Sequence, residues 1–309
     1  MISTYCLNPC FDQTVEVDSF RLGAANRITR SRMDPGGKGV NVARVLSMLG
    51  VETCCVLVLP EKGADEYLEN LQLEGMELKS IRTPGSVRRN TKIRSMDTGL
   101  VTELNEAGVP LTTWAAGEVR EEAKKRKDTS AVHVLSGSLP PFANPAYYYN
   151  LIQDLSPAPV FLDTSGRALM EGIKARPMFV KPNLAELQTA VGRELKGLKE
   201  VKAAAEDLVR SGISYVCVSM GPEGAVLVTE AGAYHAPAVE LEKGNGSTVG
   251  AGDALVAGMI YGYLKGEGPE ESLRCGVAAA SASCMTEGTQ MARREDYESV
   301  YPRVEIRKI

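Results

Sequence analysis

Hydrophobic and polar positions follow two different rhythms along this chain. In the first, short, mostly apolar runs recur at Ile2–Leu7, Cys54–Leu59, Ala131–Leu135, Val160–Asp163, 178–180 and Tyr215–Ser219. Between them lie stretches with apolar residues three and four apart. These predict helices over about 113–125, 146–155 and 198–209, with another after Lys181. One further helix carries Val42, Val45, Leu46 and Leu49 on its apolar face, with Gly50 as its stop, and one runs from about 66 to 73, ending near Gly75. Strands of this type, alternating with helices, imply an α/β fold with a mostly parallel sheet covered on both faces. A hairpin over 225–235 follows, then packed helices at 254–263 and about 270–285.

The second rhythm alternates apolar and polar residues at 14–18, 27–33, 87–93 and 100–104. Too polar for a core, these segments predict a small sheet standing off the main body, built from about 12–34 and 87–109. Such a piece can close over a site as a lid. The chain therefore reads as a single domain, 1–309, carrying a β lid.

Composition narrows the function classes. Hydrophobic residues make up 44% and charged residues 24%, ordinary for a soluble globular chain. A net charge of −4 gives no electrostatic footprint for nucleic acid. No apolar run is long enough to span a membrane, and the N-terminus lacks the pattern of a signal peptide. Seven cysteines, an odd number with no CxxC pair, read as buried free thiols in a reducing compartment, so the expected location is cytoplasmic. Two histidines, His133 and His235, both look structural.

The chemistry concentrates where strands end, and in such sheets ligands bind at the carboxyl ends of strands. GxxxxGK[ST] and a strand-borne GxGxxG are both absent, which excludes a P-loop ATPase and a standard dinucleotide dehydrogenase; no GxSxG elbow supports a serine hydrolase. Gly244 to Gly258 reads GNGSTVGAGDALVAG. Its glycines open an apolar helix, and a helix start offers unpaired N–H groups to an anion. Asp253 beside such a site would repel the anion, unless it takes a proton from the nucleophile attacking it. An ordinary tight turn with a first-turn acid is the plainer alternative.

Two segments, PGGKGVNVAR at 35–44 and STVGAGDALVAG at 247–258, together resemble the signature motifs of the ribokinase-like (PfkB) family of carbohydrate kinases, with intermediate motifs in the same order. LNPCFDQTVEV at 7–17 and STVGAGD look most like the 1-phosphofructokinase subfamily, with the tagatose-6-phosphate kinases closely related. The resemblance implies a three-layer α/β/α fold and transfer of the γ-phosphoryl of ATP to a ketohexose phosphate, foremost D-fructose 1-phosphate. Tagatose 6-phosphate and fructose 6-phosphate follow as alternatives, and a catalytically inactive sugar-phosphate sensor is the non-enzyme alternative. Mg²⁺ is implied with ATP, and a monovalent cation is a further candidate. A homodimer through the lid sheet is the expected assembly.

The same resemblance assigns roles. Asp253 becomes the base, with Gly250, Ala251 and Gly252 holding phosphoryl oxygens through their amides. Asp12, Gly36, Gly37 and Asn41 line the sugar side, although Asp12 also fits a plain turn residue. Lys38, Arg27, Arg88 and Lys92 are the candidate cations for the substrate phosphate. VRRN at 87–90 aligns with a Thr-Arg-x-Asn pattern, favouring Arg88 together with Asn90, while Arg27 and Lys92 equally fit solvated strand charges. Ser138, in the SGSLPP element at 136–141, is a candidate hydrogen-bond donor or a structural turn serine. Asn183 and Glu186 match NxxE and suit Mg²⁺ held through water, or equally a helix cap. Lys181 would reach the nucleotide phosphates, and Ser219, Gly221 and Gly224 form the nucleotide-side turn.

Overall fold

The structure is a computed structural model describing residues 1–71, 76–241, 247–286, 288, 290 and 292–309. Gly244 to Gly246, at the start of the glycine-rich stretch, and Gly75, the expected helix end, lie outside the described residues.

Ten strands form the main sheet. Their order across it is Arg307–Lys308, Gly232–Ala236, Ala225–Thr229, Tyr215–Ser219, Phe179–Val180, Val160–Asp163, Val132–Ser136, Ile2–Cys6, Thr53–Lys62 and Met76–Ser86. From Tyr215–Ser219 through to Met76–Ser86 the pairing is parallel; the other three strands add on antiparallel. Successive side chains leave a strand on opposite faces. Leu135, Leu162, Val180 and Val216 accordingly enter one core, among helices Thr113–Arg126, Tyr147–Leu155 and Gly197–Arg210. Their neighbours Val134, Phe161, Phe179 and Cys217 enter the other, among helices Lys38–Met48, Ala251–Lys265 and Pro269–Ser283. Continuous apolar strands are thus buried on both sides, giving the expected three layers.

The small-residue run after Asp253 has a packing cause. A Cβ on Gly258 would lie 2.3 Å from the Cys275 carbonyl oxygen, so its absence lets two helices approach closely. Cysteines are free thiols, six buried and Cys284 half-buried. No helix among the described residues is long and apolar enough to cross a membrane. His133 is fully buried, its Nδ1 3.0 Å from the Tyr5 hydroxyl, and burial lowers its pKa to about 4.

The polar-alternating segments form a separate four-stranded sheet in the order Ile28–Gly36, Cys10–Val17, Arg88–Ser95 and Val101–Asn105. Its register places Asp12 beside both Asp34 and Asn90, and Thr14 beside both Arg32 and Lys92.

Sequence patterning misses the two-residue strand Arg307–Lys308 and three longer elements. The strand Met76–Ser86 is interrupted by Pro84-Gly85 and lies at the sheet edge, where Glu77, Lys79 and Arg82 break up its apolar content. Helices Gly166–Ile173 and Arg294–Val300 are too short, at 8 and 7 residues, to show a clear period.

Candidate active site

Parallel strands bring Asn8, Gly137, Asp163, Lys181 and Ser219 to one end of the sheet, and two helices begin there. The first, Lys38–Met48, starts from Gly37 at φ 127°. This backbone suits only glycine, and a Cβ would also lie 2.7 Å from the Cys6 sulfur. The second, Ala251–Lys265, starts from Gly250 at φ 83°. Asn41 on the first and Asp253 on the second meet, Nδ2 donating to Asp253 Oδ2 at 2.8 Å. The amide oxygen, Asn41 Oδ1, is buried with no hydrogen-bond partner among the described residues.

Asp253 is 5% exposed. Burial raises its pKa to about 6; Lys38 opposes the shift, the Asp163 carboxylate adds to it, and the Asn41 hydrogen bond and Lys181 lower it. A carboxyl in that range is ionised at neutral pH yet basic enough to accept a proton. In the first turn, the Ala251 amide turns back to the Thr248 carbonyl at 3.3 Å. The Gly252 and Asp253 amides have no such partner among the described residues, so they, more than Ala251, are the helix's available donors.

Asp163, which no sequence motif marked, is the electrostatic centre. It is fully buried, with Lys38 Nζ at 3.1 Å and Lys181 Nζ at 3.2 Å. Burial alone would raise its pKa; Lys181 and Lys38 outweigh that and hold it below the usual carboxylate range. Lys38 is correspondingly raised: burial works against its charge, and Asp163 and Asp253 overcome it. One carboxylate thereby joins the lysine that opens the first helix to the lysine that follows strand Phe179–Val180. Lys181 Nζ would be 3.5 Å from a Cβ on Gly252, which places its charge against the glycine turn.

Toward the small sheet, Gly36 packs so close to Asp12 that a Cβ there would lie 2.2 Å from Asp12 Oδ2. Asp12 Oδ1 accepts from Asn90 Nδ2 at 3.5 Å and pairs with Lys92 Nζ at 2.9 Å, with Asp12 and Lys92 both buried. Arg88 donates to the carbonyls of Asn8 and Glu106 and to Asn90 Oδ1, over 2.9–3.2 Å. Most of its fork therefore ties together loops around the site. Ser138 is exposed, and its Oγ accepts from Asn8 Nδ2 at 3.3 Å. Arg27 is not brought in. It is exposed, just before the nine-residue strand that ends at Gly36, so roughly 30 Å of extended chain separates the two.

Beyond Lys181, Asn183 bridges to Ser219, and Gly221 begins a short 3₁₀ turn closed by Gly224. Asn183 and Glu186 form a reciprocal capping box, each side chain accepting the other's amide at 2.8 Å. Glu186 is near enough to Lys38 to raise its pKa. One oxygen of each residue is committed to the cap, so these residues fit a cation held through water better than a direct cage. No cluster of three His, Cys, Asp or Glu suited to a metal occurs among the described residues.

The chain has recognisable relatives among known proteins. The pfkB family carbohydrate kinase profile matches residues 7–295. The 1-phosphofructokinase of Rhodobacter capsulatus is 40% identical over 287 residues, covering 90% of this chain and 88% of that protein. Escherichia coli phosphofructokinase-2 in complex with fructose-6-phosphate superposes with a TM-score of 0.88 at 27% identity, covering 98% of each chain. The same enzyme in complex with potassium gives 0.89 at 28% identity, again covering 98% of each. The chain belongs to the pfkB family of carbohydrate kinases.

Proposed function

We propose that the chain transfers the γ-phosphoryl of ATP to D-fructose 1-phosphate, giving D-fructose 1,6-bisphosphate. The observation that carries the reaction type is Asp253, a buried carboxylate with its pKa raised to about 6, in a helix turn with available amides. The relative from Rhodobacter capsulatus, named 1-phosphofructokinase, supports the acceptor. Fructose 6-phosphate is the second reading, supported by its presence in the Escherichia coli phosphofructokinase-2 complex.

Asp253 accepts the proton of the attacking hydroxyl while the Asn41 amide holds the carboxylate in line. Asn41 Oδ1, buried and without a donor, is suited to a second sugar hydroxyl, as is Asp12. The Gly252 and Asp253 amides and the Lys181 ammonium face the transferring phosphoryl group, where negative charge builds. Asp163 fixes the Lys181 and Lys38 ammonium groups in place. Glu186 and Asn183 would hold Mg²⁺ through water; once bound it neutralises phosphate oxygens. A monovalent cation is consistent with the potassium complex of the Escherichia coli enzyme. The four-stranded sheet serves as the lid of a one-domain enzyme, a second copy covers its exposed apolar side chains, and the expected location is cytoplasmic.

A catalytically inactive sensor is separated by one variant. Asp253→Asn binds sugar phosphate with nearly unchanged Kd and loses turnover if the chain is a kinase. Unchanged turnover removes Asp253 from the mechanism.

A further inference from the structure

A cavity of about 830 Å³ lies between helix Lys38–Met48, the strand Ile28–Gly36 and the segment running into helix Arg294–Val300. None of the described residues placed in the active site above lines it. One group on its wall, Arg44, is left incomplete by the protein. Its Nε is buried with no hydrogen-bond partner. Its guanidinium donates only to the Pro35 carbonyl, from Nη1 at 3.4 Å, and makes no ion pair among the described residues. A guanidinium has five N–H donors and keeps its charge, so most of this fork is unmet and part of it is shut off from water. Burial lowers the Arg44 pKa; Tyr67 and Asp34 oppose that shift, and Arg32 adds to it.

The carboxylates on the same wall are already engaged. Arg32 holds Asp34 through three contacts of 2.8–3.0 Å, and Asp296 Oδ2 accepts the Arg293 amide at 3.3 Å. Three guanidiniums, those of Arg32, Arg44 and Arg293, thus face the cavity against two carboxylates. A buried cation left this way is costly, and its complement is an oxyanion that accepts two parallel N–H bonds. A phosphate, with a charge of about −2, suits such a wall better than a carboxylate does. Met48, Met76 and Met285 add apolar surface to the same cavity. Its volume falls within the roughly 300–1,000 Å³ of small-molecule pockets, which leaves room for an organic body behind the anion.

We propose that Arg44, with Arg293 at the rim, forms a binding site for a small phosphate monoester, separate from the site of phosphoryl transfer. The phosphate sits on the Arg44 fork, and the organic part lies against the three methionines. Nothing in this assignment depends on which sugar the chain phosphorylates.

Phenyl phosphate, a monoester with an apolar body, is the probe. It is titrated calorimetrically into wild type, Arg44→Met, Arg44→Lys and Arg293→Gln, with Lys181→Met as the active-site comparison. Wild type should show one equivalent that Arg44→Met weakens at least tenfold, as expected for losing a charge-assisted fork. Arg293→Gln should weaken it severalfold, Arg44→Lys should retain part of the affinity, and Lys181→Met should leave it within twofold. Arg293 is exposed, so its variant stays informative should Arg44→Met fail to fold. Denaturant unfolding separates ligand binding from a structural role. Without ligand, Arg44→Met should be at least as stable as wild type, because an uncompensated buried charge is gone. Phenyl phosphate should then stabilise wild type and not the variant. The proposal is overturned if wild type binds no phenyl phosphate, or if Arg44→Met leaves every equivalent within twofold. It is also overturned if Lys181→Met and Arg44→Met weaken the same equivalent alike, which would return the ligand to the active site. A ligand-free Arg44→Met that is destabilised, with phenyl phosphate stabilising neither protein, would assign Arg44 to holding the Pro35 carbonyl and overturn the proposal as well.

Discussion

Asn41 donates its side-chain amide to Asp253 across 2.8 Å, joining the helix that follows Gly37 to the helix that follows Gly250. The two signature motifs, more than two hundred residues apart in sequence, meet at this bond. The donor stabilises the ionised carboxylate, and burial opposes it. Replacing Asn41 by Leu should therefore raise the Asp253 pKa further. The acid limb of kcat, expected near pH 6 in wild type, moves up by about one unit in Asn41→Leu. A pH–rate profile of both proteins checks this, and an unmoved limb would detach the limb from Asp253.

Asp253 also has a predictable stability signature. Its folded pKa lies above the unfolded value of 3.8, at about 6. The native state therefore holds this proton more tightly than the unfolded chain. The resulting stability is fully present below pH 3.8 and is lost as pH rises through 6. At neutral pH the ionised group is a liability, and Asp253→Asn should be more stable than wild type by up to about 3 kcal/mol. Urea unfolding at pH 5 and pH 8 should show the difference widening at the higher pH.

Asp163 is the residue whose loss should hurt both halves of the site. Asp163→Asn leaves Lys38 and Lys181 close together without their shared carboxylate, and breaking a buried pair of this kind costs about 3–5 kcal/mol. Denaturant unfolding should register that loss. kcat/KM should fall for both ATP and the sugar phosphate, whereas a defect confined to one substrate would contradict the bridging role.

Much of this site is readable from the amino-acid order because its parts are local. The glycine turn, the PGGKG break and the NxxE pair each lie within a few residues, and strand ends are legible from the apolar runs before them. Asp163 is not legible in this way. It closes an ordinary apolar strand, and its partners lie 125 and 18 residues away at Lys38 and Lys181. The pairing of Lys92 with Asp12 depends on strand register, which alternation alone does not specify. Asn183 and Glu186 show the opposite limit: spacing found the pair, and only coordinates show one oxygen of each committed to a cap. Charge groups Arg27 with the phosphate cations, but the length of the strand that follows it carries it away from Gly36.

The small sheet leaves Leu22, Leu100, Leu104, Ile28 and Val101 exposed, at 90, 69, 58, 56 and 53%. Val101–Asn105 is also an edge strand exposed at every position. Such an edge gains by being covered. Sedimentation should report a dimer for wild type and a shift towards monomer for a Leu100→Glu, Leu104→Glu double variant. A variant sedimenting as wild type would place any interface elsewhere.

The central claim concerns which sugar phosphate this site accepts. A coupled assay of the wild-type protein with ATP, run in parallel on fructose 1-phosphate, fructose 6-phosphate and tagatose 6-phosphate, tests it most directly. The account predicts that kcat/KM is highest for fructose 1-phosphate, with ADP and fructose 1,6-bisphosphate formed in equal amounts. A higher kcat/KM for either 6-phosphate, or no ADP released with any of the three, would contradict it.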